Sequence, residues 1–151
     1  MLPRTYDNQV CSVARALEAI GDRWTMLVIR DAFVGVRRFD EFQERLGIAR
    51  NVLTDRLSRL VDEGILEKRE YQQRPQRFEY RLTAKGVDLF PVLVSLMKWG
   101  DRHAPDQNGP PMAVVHRDCG GEVDERLLCV RCGEPVTALN AEARQLVPSA
   151  G

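Results

Sequence analysis

The stretch that most constrains the fold spans residues 37–81, RRFDEFQERLGIARNVLTDRLSRLVDEGILEKREYQQRPQRFEYR. Phe39, Phe42 and Leu46 recur at helical spacing and stop at Gly47, which predicts a helix over 39–46. Leu53, Leu57, Leu60 and Val61 form a second stripe ending at Gly64, which predicts a helix over 50–63. Two alternating runs, 65–71 and 77–83, flank QQRPQ, a proline-containing stretch that reads as a hairpin tip. Helix, tight turn, helix and hairpin, in that order, are the plan of a winged helix-turn-helix, and that plan is a DNA-binding one. The expected fold class is mainly α with a small β-hairpin wing (α+β).

The rest of the chain sets bounds on this reading. In 151 residues there is room for one ordinary domain and a small appendage. Hydrophobic residues at 44% and charged ones at 29% place it among soluble globular chains. No apolar run approaches the ~20 residues a membrane span needs, and MLPRTYDNQVC lacks the apolar core of a secretory signal. With four cysteines and no such signal, the expectation is a cytoplasmic chain whose thiols are reduced or bind metal. Net charge is zero, but residues 37–81 hold 11 Arg/Lys against 9 Asp/Glu, and residues 104–151 hold 4 against 7. The positive footprint is local and modest, so specific DNA affinity calls for two copies.

Taken in order, residues 10–20 are Ala-rich and predict a helix ending at Gly21. A second helix is expected from an Asp22 N-cap to Gly35, with Trp24, Leu27, Val28 and Asp31 on its inner face. Thr83 is the expected cap of a further helix reaching about Arg102, kinked or restarted at Pro91. That helix is apolar on two sides: Phe90, Leu93, Val94 and Met97 on one, Leu89, Val92, Leu96 and Trp99 on the other. A helix covered on one side needs one stripe, so the second is either core or the contact with a twin subunit. The expected organisation is a DNA-binding and dimerisation domain over 7–103, a linker over 104–111 (APDQNGPP), a module over 112–138 and a tail over 139–151, with a frayed helix over 140–146 as one option for the tail.

His116, Cys119, Cys129 and Cys132 form the pattern H-x2-C-x9-C-x2-C. Each half pairs ligands three residues apart and is followed by glycine (Gly120 and Gly121, then Gly133), so the backbone can turn its amides toward the sulfurs. Four such ligands suit a closed, tetrahedral, structural Zn2+, in a zinc-ribbon-like module too small to bury a core without it. The alternative is a set of free or disulfide-forming thiols. Cys11 stands apart from this set, near a helix start with Arg15 one turn on; it reads either as a small buried residue or as a possible redox thiol.

Cys11, GDRWT, the RF-x-E segment at residues 38–41, LTDRLSRL with its closing Gly64, the wing sequence RPQRFEYRLTAKG, and Trp99 together resemble the HxlR-type transcriptional regulators. The resemblance runs over about residues 7–102 in order. It implies a MarR-like winged helix fold, a homodimer, and binding to double-stranded DNA at pseudo-palindromic operators. It also places Cys11 where some relatives carry a redox-sensing thiol. One departure is Ala49, where many relatives have a serine that caps the recognition helix; losing that cap costs ~1 kcal/mol. The last 45 or so residues lie outside the resemblance.

With the leucine stripe turned inward, Arg50, Asn51, Thr54 and Asp55 are the candidates for base edges in the major groove. Arg56 and Arg59 on the flanks, Arg37 and Arg38 before the first of the two helices, and Arg74 and Arg77 at the wing are candidates for phosphate or minor-groove contact. A dimeric DNA-binding regulator, read as a repressor, is the leading expectation. The alternative is a protein-interaction module that uses a winged helix without DNA. An enzyme is disfavoured: there is no glycine-rich phosphate loop, and His103 has no nucleophile beside it.

Overall fold

The structure, a computed structural model, describes residues 4–146. It divides into two compact units, residues 1–87 and 88–151, each treated by itself below.

In the first unit α1 (Ser12–Ile20), α2 (Thr25–Phe33), α3 (Phe39–Leu46) and α4 (Arg50–Asp62) precede a hairpin of β1 (Leu66–Gln73) and β2 (Gln76–Leu82) and the single-turn α5 (Ala84–Val87). The helices stop where the sequence stops them. Gly47 and Gly64 adopt left-handed backbone at φ 61° and 73°, a conformation that costs glycine nothing and side-chain-bearing residues about 1–2 kcal/mol. The core is the predicted stripe: Leu53, Leu57 and Leu60 of α4 and Phe42 of α3 are fully buried with Val28 and Ile29 of α2. Burying each such side chain stabilises the fold by roughly 1.5–3 kcal/mol.

The expected inner face of α2 is revised. The helix starts at Thr25 rather than Asp22, after Trp24 takes left-handed backbone at φ 79°. The rotation turns Thr25, Val28, Ile29, Asp31 and Ala32 inward and leaves Leu27 exposed. Thr83 does cap α5: its hydroxyl accepts the Gly86 amide at 3.1 Å and donates to the Gly64 carbonyl. Gly86 itself is required by close approach, since a Cβ there would lie 2.2 Å from the Ile65 carbonyl oxygen. β1 and β2 pair from Leu66↔Leu82 to Gln73↔Gln76, and the register skips Tyr71. The Tyr80 amide donates to the Arg37 carbonyl at 2.7 Å, which ties the segment before α3 to the free edge of the hairpin.

In the second unit the chain restarts as α6 (Phe90–His103), with Pro91 in its first turn, where the missing N–H costs nothing. Phe90 and Val94 are buried, whereas Val92, Leu96 and Trp99 are exposed. After the linker, β3 (Met112–His116) pairs with β4 (Ala141–Gln145), antiparallel, from Met112↔Gln145 to His116↔Ala141. The frayed helix expected over 140–146 is therefore a strand, and this sheet reaches past residue 138 into the expected tail. A five-residue strand carries too little periodicity to be told from a helix by pattern alone. The remaining tail residues, 147–151, lie outside the described residues. Val115, Val123, Cys129 and Val136 form the small interior of this module, and isolated bridges join Val115 to Glu122 and Val123 to Cys129.

Candidate DNA-binding surface and metal centre

On α4, the side opposite the leucine stripe presents Arg50, Asn51 and Thr54, all exposed. Ala49 occupies the N-cap position with no side-chain hydrogen bond to the first turn, and Asn51 does not replace one. The Arg50 guanidinium lies 4.6 Å from the centre of the Phe39 ring, a cation–π contact that positions the charge while leaving its N–H fork free. Arg38 sits likewise 4.7 Å from the Tyr71 ring, the residue the hairpin register skips. The Thr54 hydroxyl donates to the Arg50 carbonyl, which turns its methyl group outward.

Arg56 and Arg59, expected at phosphate, have partners within the chain. Arg56 donates to the Arg23 carbonyl at 2.8 Å and to Asp55 at 2.6 Å, and Arg59 pairs with Asp22. Together they fasten residues 22–23, next to the left-handed Trp24, onto the flank of α4. The side-chain atoms of both arginines are mostly covered, 19% and 26% exposed. Asp55, bound to Arg56, is correspondingly less available to a base. A helical wheel gives the direction of a side chain but not the loop it meets, so this clamp was not legible in the sequence.

Along the hairpin, Arg69 pairs with Glu67, Arg81 with Glu79, and Lys68 covers the Phe78 ring at 4.4 Å. Arg74 at the tip and Arg77 beside it make no ion pair or ring contact among the described residues, and both are exposed. Asp31 is a buried carboxylate that the sequence reading placed in the core without a partner. Its Oδ1 accepts from Arg30 at 2.9 Å and from Arg45 at 3.3 Å, while Oδ2 has no hydrogen-bond partner among the described residues.

The four predicted metal ligands converge. One ligand atom from each of His116, Cys119, Cys129 and Cys132 lies within 4.8 Å of the others. His116 Nδ1 is 3.5 Å from Cys119 Sγ and 3.3 Å from Cys132 Sγ, and the Cys119 and Cys129 sulfurs are 3.3 Å apart. A zinc tetrahedron with its usual bond lengths has N···S edges of ~3.6 Å and S···S edges of ~3.8 Å, so these three separations lie close to the edges such an ion would set. Local backbone explains the convergence. Gly120 and Gly133 both take φ 75°. A Cβ on Gly121 would lie 2.5 Å from Cys129 Sγ, so glycine is what lets this strand pass the sulfur. Burial alone would raise the Cys129 thiol, but the amides of Cys132 and Arg131 and the neighbouring thiols outweigh it and bring the pKa to about 6. A thiol of that kind is poised to enter a metal shell as thiolate. Between the knuckles, Asp124 Oδ1 accepts the Arg126 and Leu128 amides at 2.8 and 2.9 Å and shapes the turn that carries Leu127 at φ 64°. The donor set and geometry fit a closed four-ligand site.

Cys11 is exposed, so it is not the small buried residue that was one of its two readings. The amides of Ala14 and Val13 face its thiol and lower its pKa below the ordinary value, with a smaller contribution from Arg15.

Comparison with known proteins agrees with this architecture. The HxlR-like helix-turn-helix family matches residues 19–108. An uncharacterized HTH-type transcriptional regulator of Mycobacterium tuberculosis strain H37Rv is 50% identical over 129 residues, 85% of this chain and 82% of its own length. The solved structure of PA1607, described as a candidate transcription factor, superposes with a TM-score of 0.73 at 39% identity, over 89% of this chain and 94% of that one. The redox regulator HypR in its oxidized form matches with a TM-score of 0.59 at 31% identity, over 64% of this chain and 100% of its own. These are transcription regulators rather than enzymes, and among the described residues no helix is long and apolar enough to cross a membrane. The chain belongs to the HxlR family of helix-turn-helix transcriptional regulators.

Proposed function

We propose that the chain is a homodimeric repressor that occupies a pseudo-palindromic operator and carries a structural Zn2+ in its C-terminal module. The observation that carries the reading is the sorting of charge on the first unit. Most arginines and lysines of α4 and the hairpin are committed to internal partners, whereas Arg74 and Arg77 at the wing are not, and Arg50 keeps its fork free. In this reading Arg50, Asn51 and Thr54 meet base edges. Arg37, Arg38, Arg74 and Arg77 meet phosphates or the minor groove. Arg56 and Arg59 hold the recognition helix at its angle, and Asp55 orients Arg56.

Dimerisation is supported by apolar surface left uncovered within each unit: Val10, Val13 and Leu17 on and before α1, and Val92, Leu96 and Trp99 on α6. A modest basic footprint needs two copies on one face of the duplex for specific affinity, with half-sites about one helical turn apart. His116, Cys119, Cys129 and Cys132 hold the metal, which fixes a module too small to be stable on apolar burial alone. Exposed Cys11, with its lowered thiol, is the point at which an oxidant would act on DNA binding. Selection of bound DNA from a random pool, with metal content measured on the same protein, tests the whole reading. A palindromic consensus and one zinc per chain support it. Failure to enrich any sequence would overturn it in favour of a protein-interaction role.

A further inference from the structure

We infer that Asp118 is a positioning residue for the metal centre: once an ion is bound, its carboxylate accepts a hydrogen bond from the N–H on the outer nitrogen of His116 and so fixes which nitrogen faces that ion. The inference rests on the metal reading above and concerns a residue outside the ligand set. The His116 ring is buried, with its side chain 5% exposed, and its two nitrogens face different surroundings. Nδ1 points into the cluster, 3.5 Å from Cys119 Sγ and 3.3 Å from Cys132 Sγ. Nε2 points the other way and lies 3.4 Å from Asp118 Oδ2.

Metal-free, the imidazole can carry its proton on either nitrogen, because Nδ1 has thiols to share it with. An ion held by the three sulfurs takes the Nδ1 lone pair, which leaves the proton on Nε2, the nitrogen on the side of Asp118. The 3.4 Å separation is an ion-pair distance rather than a formed hydrogen bond, and on this inference the exposed Asp118 side chain must close it when the metal fixes the proton on Nε2. The carboxylate therefore stabilises the bound form more than the empty one. It does so by holding the ring plane and the tautomer and by raising the basicity of the ligating nitrogen. Local structure places it there: Asp118 follows the end of β3 in the turn that leads to Cys119. Arg117, one residue earlier, anchors that turn by donating to the carbonyls of Leu139 and Ala141. The Asp118 side chain is 77% exposed, so its replacement removes no packing.

The test is zinc affinity of the full chain, measured by competition with a chromophoric chelator, for wild type, Asp118→Asn, Asp118→Ala and Asp118→Glu. Outer-shell partners of ligating histidines typically contribute 10–100-fold in metal affinity. The expected result is a loss of that size for Asn and Ala and partial recovery for Glu. Cobalt-substituted protein should keep the thiolate charge-transfer bands of a three-sulfur site in every variant, which separates a weaker shell from a lost ligand. Equal affinity for wild type and Asp118→Asn, within twofold, overturns the role of Asp118 while the metal site stands. A wild-type chain that takes up no zinc overturns the metal site and this inference together.

Discussion

Replacing Arg74 by alanine should change how DNA binding responds to salt more than it changes the protein. Arg74 is exposed at the wing tip and has no ion pair or ring contact among the described residues, so its loss costs the fold little. On DNA, each phosphate neutralised adds about 0.9 to the slope of log affinity against log salt. A dimer presents two wings, so Arg74→Ala should flatten the slope by about 1.8. Between 50 and 200 mM salt, a fourfold change, wild type should then lose about 12-fold more affinity than the variant. Fluorescence anisotropy on a selected operator, titrated across that range, reads this directly. Arg59→Ala is the contrasting variant. Arg59 pairs with Asp22 and is largely covered, so its loss should lower the melting temperature by a few degrees, on the order of 1 kcal/mol, and leave the slope unchanged. If Arg74→Ala leaves the slope as it was, the wing does not touch the backbone. If Arg59→Ala flattens it, the division of arginines into clamp and contact is wrong.

Leu96→Glu places a charge on an α6 position that is 51% exposed, and sedimentation should show monomer where wild type gives dimer, with helix content retained. Gly121→Ala forces a Cβ to within 2.5 Å of Cys129 Sγ, and bound zinc measured by mass spectrometry should fall from one per chain to near zero. Leu57→Ala empties a fully buried site in α4 and should cost about 2–5 kcal/mol in chemical denaturation. Because the amides of Ala14 and Val13 lower the Cys11 thiol, more of it is thiolate at any pH near neutrality. Its alkylation rate should therefore rise to its plateau at lower pH than that of an ordinary cysteine, and an unshifted profile would contradict the local geometry.

What the sequence made legible were the features with a strong period or a fixed spacing. The α4 stripe, the glycine stops at Gly47 and Gly64, and the convergence of His116, Cys119, Cys129 and Cys132 all follow from local rules of helix phase, backbone freedom and chelate spacing. What it hid were choices made by neighbours distant in the chain. Trp24 takes left-handed backbone beside a loop, residues 22–23, that Arg56 and Arg59 hold from more than thirty residues away. α2 starts only after Trp24, at Thr25, and Leu27, which the helical phase from Asp22 places inside, is exposed. The strand Ala141–Gln145 has no alternating stripe of its own, since all but its first residue are exposed; it is a strand because β3 offers it an edge. Asp118 was invisible as more than a surface charge until the ring of His116 had a direction.

The pairing of β3 with β4 also sets an order of events during synthesis. Met112 must wait for Gln145, and the last ligand, Cys132, lies 45 residues beyond the end of the first unit at Val87. At ribosomal speeds of about 5–20 residues per second, that interval is about 2–9 s. The recognition helix and wing can therefore be complete on the nascent chain while the module is still an open hairpin with free thiols. On the proposed reading, a cell short of metal at that moment would release chains able to meet DNA but unfinished at the other end.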